Sequence, residues 1–62
     1  MKTCDLCRAG SGIHDTRRIC CAGRLIAGQP KRNRAWLADR AAEEHGHTKA
    51  DLRAATAHWL PK

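Results

Sequence analysis

The chain has no phenylalanine, tyrosine or valine, and its large apolar side chains amount to five Leu, three Ile, two Trp and one Met among 62 residues. Eleven alanines supply much of the remaining hydrophobic content, and each buries little area. At ~25 cal/mol per Å² of buried apolar surface, such a core barely offsets the entropy of ordering the chain. The length allows one domain, residues 1–62, with no room for a second core. A chain this small therefore needs a staple: a metal, disulfides or a partner subunit.

Other absences narrow the function. No apolar run approaches a membrane span, and MKTCDLCRAGSG at the N-terminus lacks the apolar stretch of a signal peptide. A chain that begins with Met in this way is expected in the cytoplasm, away from membranes. There is no H-E-x-x-H, and no Ser-His-Asp arrangement has support. Asp5 and Asp15 are the only carboxylates near the cysteines. A thioredoxin-like role for CDLC needs a βαβ scaffold that this length cannot supply. The expectation is a non-enzymatic protein with no small-molecule substrate.

Four cysteines are present in two pairs, Cys4/Cys7 in TCDLC and the doublet Cys20/Cys21 in RRICCAG. In a reducing cytoplasm, paired cysteines hold metal more often than they form disulfides. Cys4 and Cys7 are too close in sequence for a relaxed disulfide, and one between Cys20 and Cys21 closes a strained ring. In C-x2-C the chain turns tightly enough to aim both sulfurs at one ion about 2.3 Å away.

The doublet is less easily placed. Adjacent residues point about 100° apart in a helix and to opposite faces in a strand. Both can reach one ion only if Cys20 lies just before a helix and Cys21 begins it. The favoured site is Cys4, Cys7, Cys20 and Cys21, with His14 as the alternative fourth ligand in place of one doublet member. In that alternative the spare cysteine is a small buried apolar residue. Either set closes the coordination sphere, so one structural Zn²⁺ is expected, contributing folding energy directly. Tetrahedral thiolate sites also accept iron.

Between the pairs, Gly10, Ser11 and Gly12 supply a turn, and Ile13, Thr16 and Ile19 fit a short hairpin. AGRLIA then reads as one or two helical turns stopped by Gly28 and Pro30. Knuckle, hairpin and ligand-bearing helix over residues 3–28 resemble a treble-clef-type zinc finger. The resemblance departs at the doublet, since such fingers separate their two helix ligands by two or three residues. The Arg/Ala-rich composition with a zinc knuckle also resembles, in style, short phage and mobile-element proteins. That likeness implies an accessory or regulatory role, including binding to a host protein.

The second half reads as helical. PKRNRAWLADRAAEEHG has Pro near its start and Gly46 as a stop, and TKADLRAATAHWLPK opens on a capping pair, Thr48 and Asp51. Leu52, Ala55, Thr56 and Trp59 follow at helical spacing. Both tryptophans are expected as core anchors rather than as stacking platforms for single strands, and His45 and His47 as solvated turn residues. The expected fold is a small zinc-stabilised α(+β) domain. Its zinc module (1–29, knuckle and short hairpin) is followed by about three helices, the last two forming an antiparallel hairpin (30–62).

Charge gives the one direction toward a partner. Residues 1–34 carry eight Lys/Arg against two Asp, and residues 35–62 carry four of each sign, so the whole net charge of +6 lies in the first half. Arg17, Arg18, Arg24, Lys31, Arg32 and Arg34 can form one basic surface for a phosphate backbone, DNA or RNA, without sequence specificity. A competing role exists for some of them, because four thiolates on Zn²⁺ leave a charge of −2 that Arg8, Arg17, Arg18 and Arg24 can offset. The alternative function is a protein-interaction adaptor or inhibitor that presents the zinc module and helices to a protein partner.

Overall fold

The doublet lies inside a helix rather than ahead of one. The computed structural model describes residues 1–61, arranged as α1 (Asp5–Arg8), α2 (Ile19–Ala27), α3 (Lys31–His45) and α4 (Lys49–Trp59). Among the described residues no helix is long and apolar enough to cross a membrane.

Local chemistry explains most of the boundaries. The single turn of α1 closes in a Schellman arrangement: the Gly10 N–H donates to the Cys7 carbonyl at 3.2 Å and the Ser11 N–H to the Leu6 carbonyl at 3.1 Å. Gly10 has φ +67°, a conformation that favours glycine. At the other end of the chain, the Thr48 hydroxyl accepts from the Asp51 N–H at 3.1 Å and starts α4. Gly46, at φ +71°, ends α3.

α2 is the centre of the fold, and α4 is the helix packed most extensively against it. Ala22, Gly23, Ile26, Leu52, Ala55 and Thr56 are buried, with Leu52 fully enclosed. Gly23 lets the two helix backbones approach closely, since a Cβ placed there would lie 2.5 Å from the Ala55 Cβ. The core thus spans both halves of the chain. The second helical pattern supplies one wall of it, through Leu52, Ala55 and Thr56, as its spacing predicts.

α3 is held differently. None of its fifteen residues is buried, and Leu37, Ala38, Ala41 and Ala42 only half-bury against the core. Trp36 is 51% exposed, so it is a surface residue and not the core anchor expected from the scarcity of large side chains. Polar contacts fasten the start of α3 instead. Arg34 donates from Nε to the Gln29 carbonyl at 3.1 Å and from a terminal nitrogen to the Ala27 carbonyl at 3.3 Å. These are carbonyls at the C-terminal end of α2, where a cation also suits the helix dipole. Arg34→Ala is expected to lower stability by about 1–2 kcal/mol, measured by urea unfolding of the metal-loaded protein. Unchanged stability would show those two bonds to be incidental.

The hairpin expected over residues 11–19 is absent, and the described residues contain no strand. The segment runs as turns and loop because side chains take the hydrogen bonds that a ladder would have used. The Ile13 N–H donates to the Ser11 hydroxyl at 3.0 Å, and the Arg17 N–H to the Asp15 carboxylate at 3.3 Å. Arg24 on α2 donates to the Ser11 and Ile13 carbonyls. His47 lies 3.0 Å from the Thr16 carbonyl, and His45 3.0 Å from the Thr16 hydroxyl. The two histidines are therefore half-buried clasps between the loop and the α3–α4 turn, not solvated turn residues. The architecture is all-helical with an irregular loop, in place of α(+β).

Candidate metal centre

Cys4 precedes α1 as its N-cap and Cys7 closes its only turn, so the two face the same side three residues apart. Cys20 and Cys21 occupy the second and third positions of α2, after Arg18 as N-cap and Ile19. Side chains at a helix start lean beyond its N-terminus, because each Cα–Cβ bond tilts that way. Two adjacent cysteines in the first turn can therefore converge on a point off the helix end, despite the 100° between them. This resolves the doublet geometry without placing Cys20 outside the helix.

All four Sγ atoms lie within 4.8 Å of one another. Cys21 is the most enclosed, with no exposed surface, and its sulfur is 3.2 Å from that of Cys4 and 3.5 Å from that of Cys7. Cys4 and Cys7 are 3.7 Å apart at sulfur. Sulfurs bonded tetrahedrally to one ion at about 2.3 Å would be separated by about 3.8 Å. Small side-chain adjustments therefore suffice, and the four cysteines can hold one metal ion. His14 stands outside this cluster. It is half-buried, and burial, helped by the Arg24 charge, holds its pKa below the ordinary value.

The surroundings act on the sulfurs unequally. Cys20 and Cys21 lie in the first turn of α2. The Cys4 N–H donates to the Cys20 sulfur at 3.2 Å. Hydrogen bonding from the Cys7 backbone and the Cys21 thiol brings the Cys4 pKa down to about 6. Burial pushes Cys7 up to about 12, aided by its bonds to the Cys21 and Cys4 sulfurs. Without metal at neutral pH, Cys7 keeps its proton, and an ion entering the site displaces it.

Two arginines attend the sulfurs. Hydrogen bonding to Cys4 raises the Arg18 pKa. Burial works against the Arg24 charge, yet the neighbouring Cys21 and Cys7 sulfurs hold its pKa above the usual value. Arg24 sits three residues after Cys21, on the same face of α2. Its Nε is buried without a hydrogen-bond partner, while its terminal nitrogens hold the loop carbonyls of Ser11 and Ile13. One side chain thus joins the loop to the metal centre. Trp59 roofs the cluster from α4, donating its indole N–H to the Cys20 carbonyl at 3.1 Å.

The basic residues do not form one uncommitted face. Arg17 pairs with Asp15 at 2.9 Å, and Arg18 reaches the same carboxylate at 3.4 Å. Arg24 and Arg34 are bonded to backbone carbonyls, and Arg8 pairs with Asp5. Of the six cations read as a phosphate-binding surface, Lys31 and Arg32 remain exposed with no hydrogen bond or ion pair among the described residues. Trp59 packs against the cysteine cluster as a core anchor, whereas the close approach at Gly23 is not evident from the sequence. An isolated glycine inside a helical pattern was the available signal for it.

No family model, curated protein or solved structure matches the chain. The cysteines come from a knuckle and the first turn of a helix, the intervening hairpin is absent among the described residues, and no homologue identifies a treble-clef type.

Proposed function

We propose that this is a structural-zinc module, not an enzyme, that binds nucleic acid without sequence specificity through its remaining uncommitted cations. Zinc suits four thiolates in a closed, redox-inert tetrahedron, and a reducing compartment such as the cytoplasm suits free cysteines. With all four positions filled by sulfur, no coordination site is left for a substrate. The observation that carries the binding reading is the pair Lys31 and Arg32. They are exposed in the first turn of α3, which holds no acidic residue. Cations at a helix start run against its dipole. A local rule broken on the surface is most simply understood as serving an anionic partner.

The test is fluorescence anisotropy of zinc-loaded protein with labelled random-sequence duplex DNA, single-stranded DNA and RNA across a salt series. Binding should weaken steeply with salt. The double variant Lys31→Ala/Arg32→Ala should lose about tenfold in affinity and about two units of log–log salt slope. An unchanged slope in that variant would remove the assignment.

A protein partner is the second reading. A cleft of about 310 Å³ opens between α3 and α4, with Ala35, Ala38 and Leu60 along it and Arg34, Asp39 and Arg53 among its polar residues. Such a groove suits an apolar side chain of a partner. Failure of every nucleic acid to bind at low salt would favour it.

A further inference from the structure

Trp36 is a costly residue to leave in water, and the fold leaves it there, 51% exposed on a helix that buries nothing fully. Its indole N–H points to the Asn33 side-chain oxygen at 3.5 Å, a weak tether. Arg32 lies one helical turn before it and Arg40 one turn after, so all three share a face of α3. Arg40 is partly engaged, at 2.9 Å from the Glu44 carboxylate, whereas Arg32 is exposed. A cleft of about 290 Å³ opens beside the indole between α2 and α3, with Leu25, Leu37 and Ala41 along it and Thr16, Glu44 and His45 contributing polar atoms.

We infer that Trp36 is a stacking platform for an unpaired base, and that the nucleic acid this module takes is single-stranded. The inference rests on the nucleic-acid reading above and narrows it. An aromatic face beside cations is what a single strand uses, because every base has a π-face and every linkage a phosphate. In a duplex the base faces are already stacked on one another, so the indole would gain nothing there. Charge sets the direction of the track. Glu43, two turns after Trp36 on the same face, and Glu44 at the cleft repel phosphates toward the end of α3. The strand therefore runs from Trp36 past Arg32 toward Lys31.

The experiment titrates zinc-loaded protein with a short oligothymidine strand and, separately, with a duplex, following intrinsic tryptophan fluorescence and anisotropy. Stacking should quench the wild-type emission with the strand and not with the duplex. Trp36→Leu should bind the strand about tenfold more weakly with duplex affinity unchanged, and Trp36→Phe should retain most of the strand affinity. Strand binding that stays salt-dependent and unaltered in Trp36→Leu would overturn the stacking assignment while leaving the nucleic-acid reading standing. No binding of strand or duplex by the wild type at low salt would overturn both. Sedimentation of both proteins covers the remaining occupant: a wild-type dimer abolished by Trp36→Leu would assign the indole to a second copy of the chain and refute the inference.

Discussion

Cys21→Ser is expected to leave the protein unfolded at neutral pH, whereas His14→Ala should retain both metal and helices. Cys21 is fully enclosed, and its sulfur approaches those of Cys4 and Cys7 most closely. Loss of one thiolate opens a coordination position in a buried place and leaves three ligands to hold the ion. Structural zinc contributes on the order of 10 kcal/mol to domains of this size, and a core with so few large side chains cannot replace it. Cys20→Ser should be nearly as damaging, since Cys20 is also buried and accepts the Cys4 N–H. His14 lies outside the sulfur cluster. Circular dichroism and bound zinc, measured on all three variants, check the set. Full helicity and one zinc in Cys20→Ser, together with loss of both in His14→Ala, would assign the fourth ligand to the histidine.

Gly23→Ala should be the most damaging change away from the cysteines. The added methyl would stand 2.5 Å from the Ala55 Cβ, 2.6 Å from its carbonyl carbon and 2.8 Å from its carbonyl oxygen. Two of those three atoms are backbone, so no rotamer change relieves the clash and α4 has to move off α2. Higher helix propensity for alanine returns about 1 kcal/mol. Overpacking costs typically 1–3 kcal/mol and more where backbone must shift, and moving α4 also lifts Trp59 from the cysteine cluster. A net loss of about 2 kcal/mol is expected in urea unfolding of the zinc-loaded protein. Ala55→Gly in the same chain should rescue only part of it, because the carbonyl remains. Complete rescue, or a stabilised single variant, would show that the interhelical contact is looser than the structure has it.

The sequence disclosed those parts of the fold that are decided within a few residues. The C-x2-C turn, the Thr48 cap, the Gly46 stop and the inward face Leu52–Ala55–Thr56 all follow from local chemistry and helical period. The scarcity of bulky side chains pointed to a staple, and the four cysteines lie together where they could hold one metal ion. Contacts between distant segments were not legible. Nothing near Thr16 in sequence announces that His45 and His47 bond to it across about thirty residues. Yet those bonds, with Arg24 on the Ser11 and Ile13 carbonyls, are what make the segment a loop instead of a hairpin. The charge pattern misled for the same reason. Arg24 and Arg34 look like surface cations in a composition, and each is spent on backbone carbonyls once the helices meet. Trp36 and Trp59 carry the same letter, but α4 packs against the core through buried residues and α3 does not.

One metal ion, held by four sulfurs from the knuckle and the first turn of α2, is expected to organise the whole chain. Titration of metal-free, reduced protein with Co²⁺ tests this most directly, read by the d–d and thiolate charge-transfer absorption and, in parallel, by helical circular dichroism. A tetrahedral four-thiolate spectrum that saturates at one equivalent is expected, with helicity rising to the same endpoint. Full helicity before any metal is added, or a spectrum with nitrogen in place of a thiolate, would contradict it.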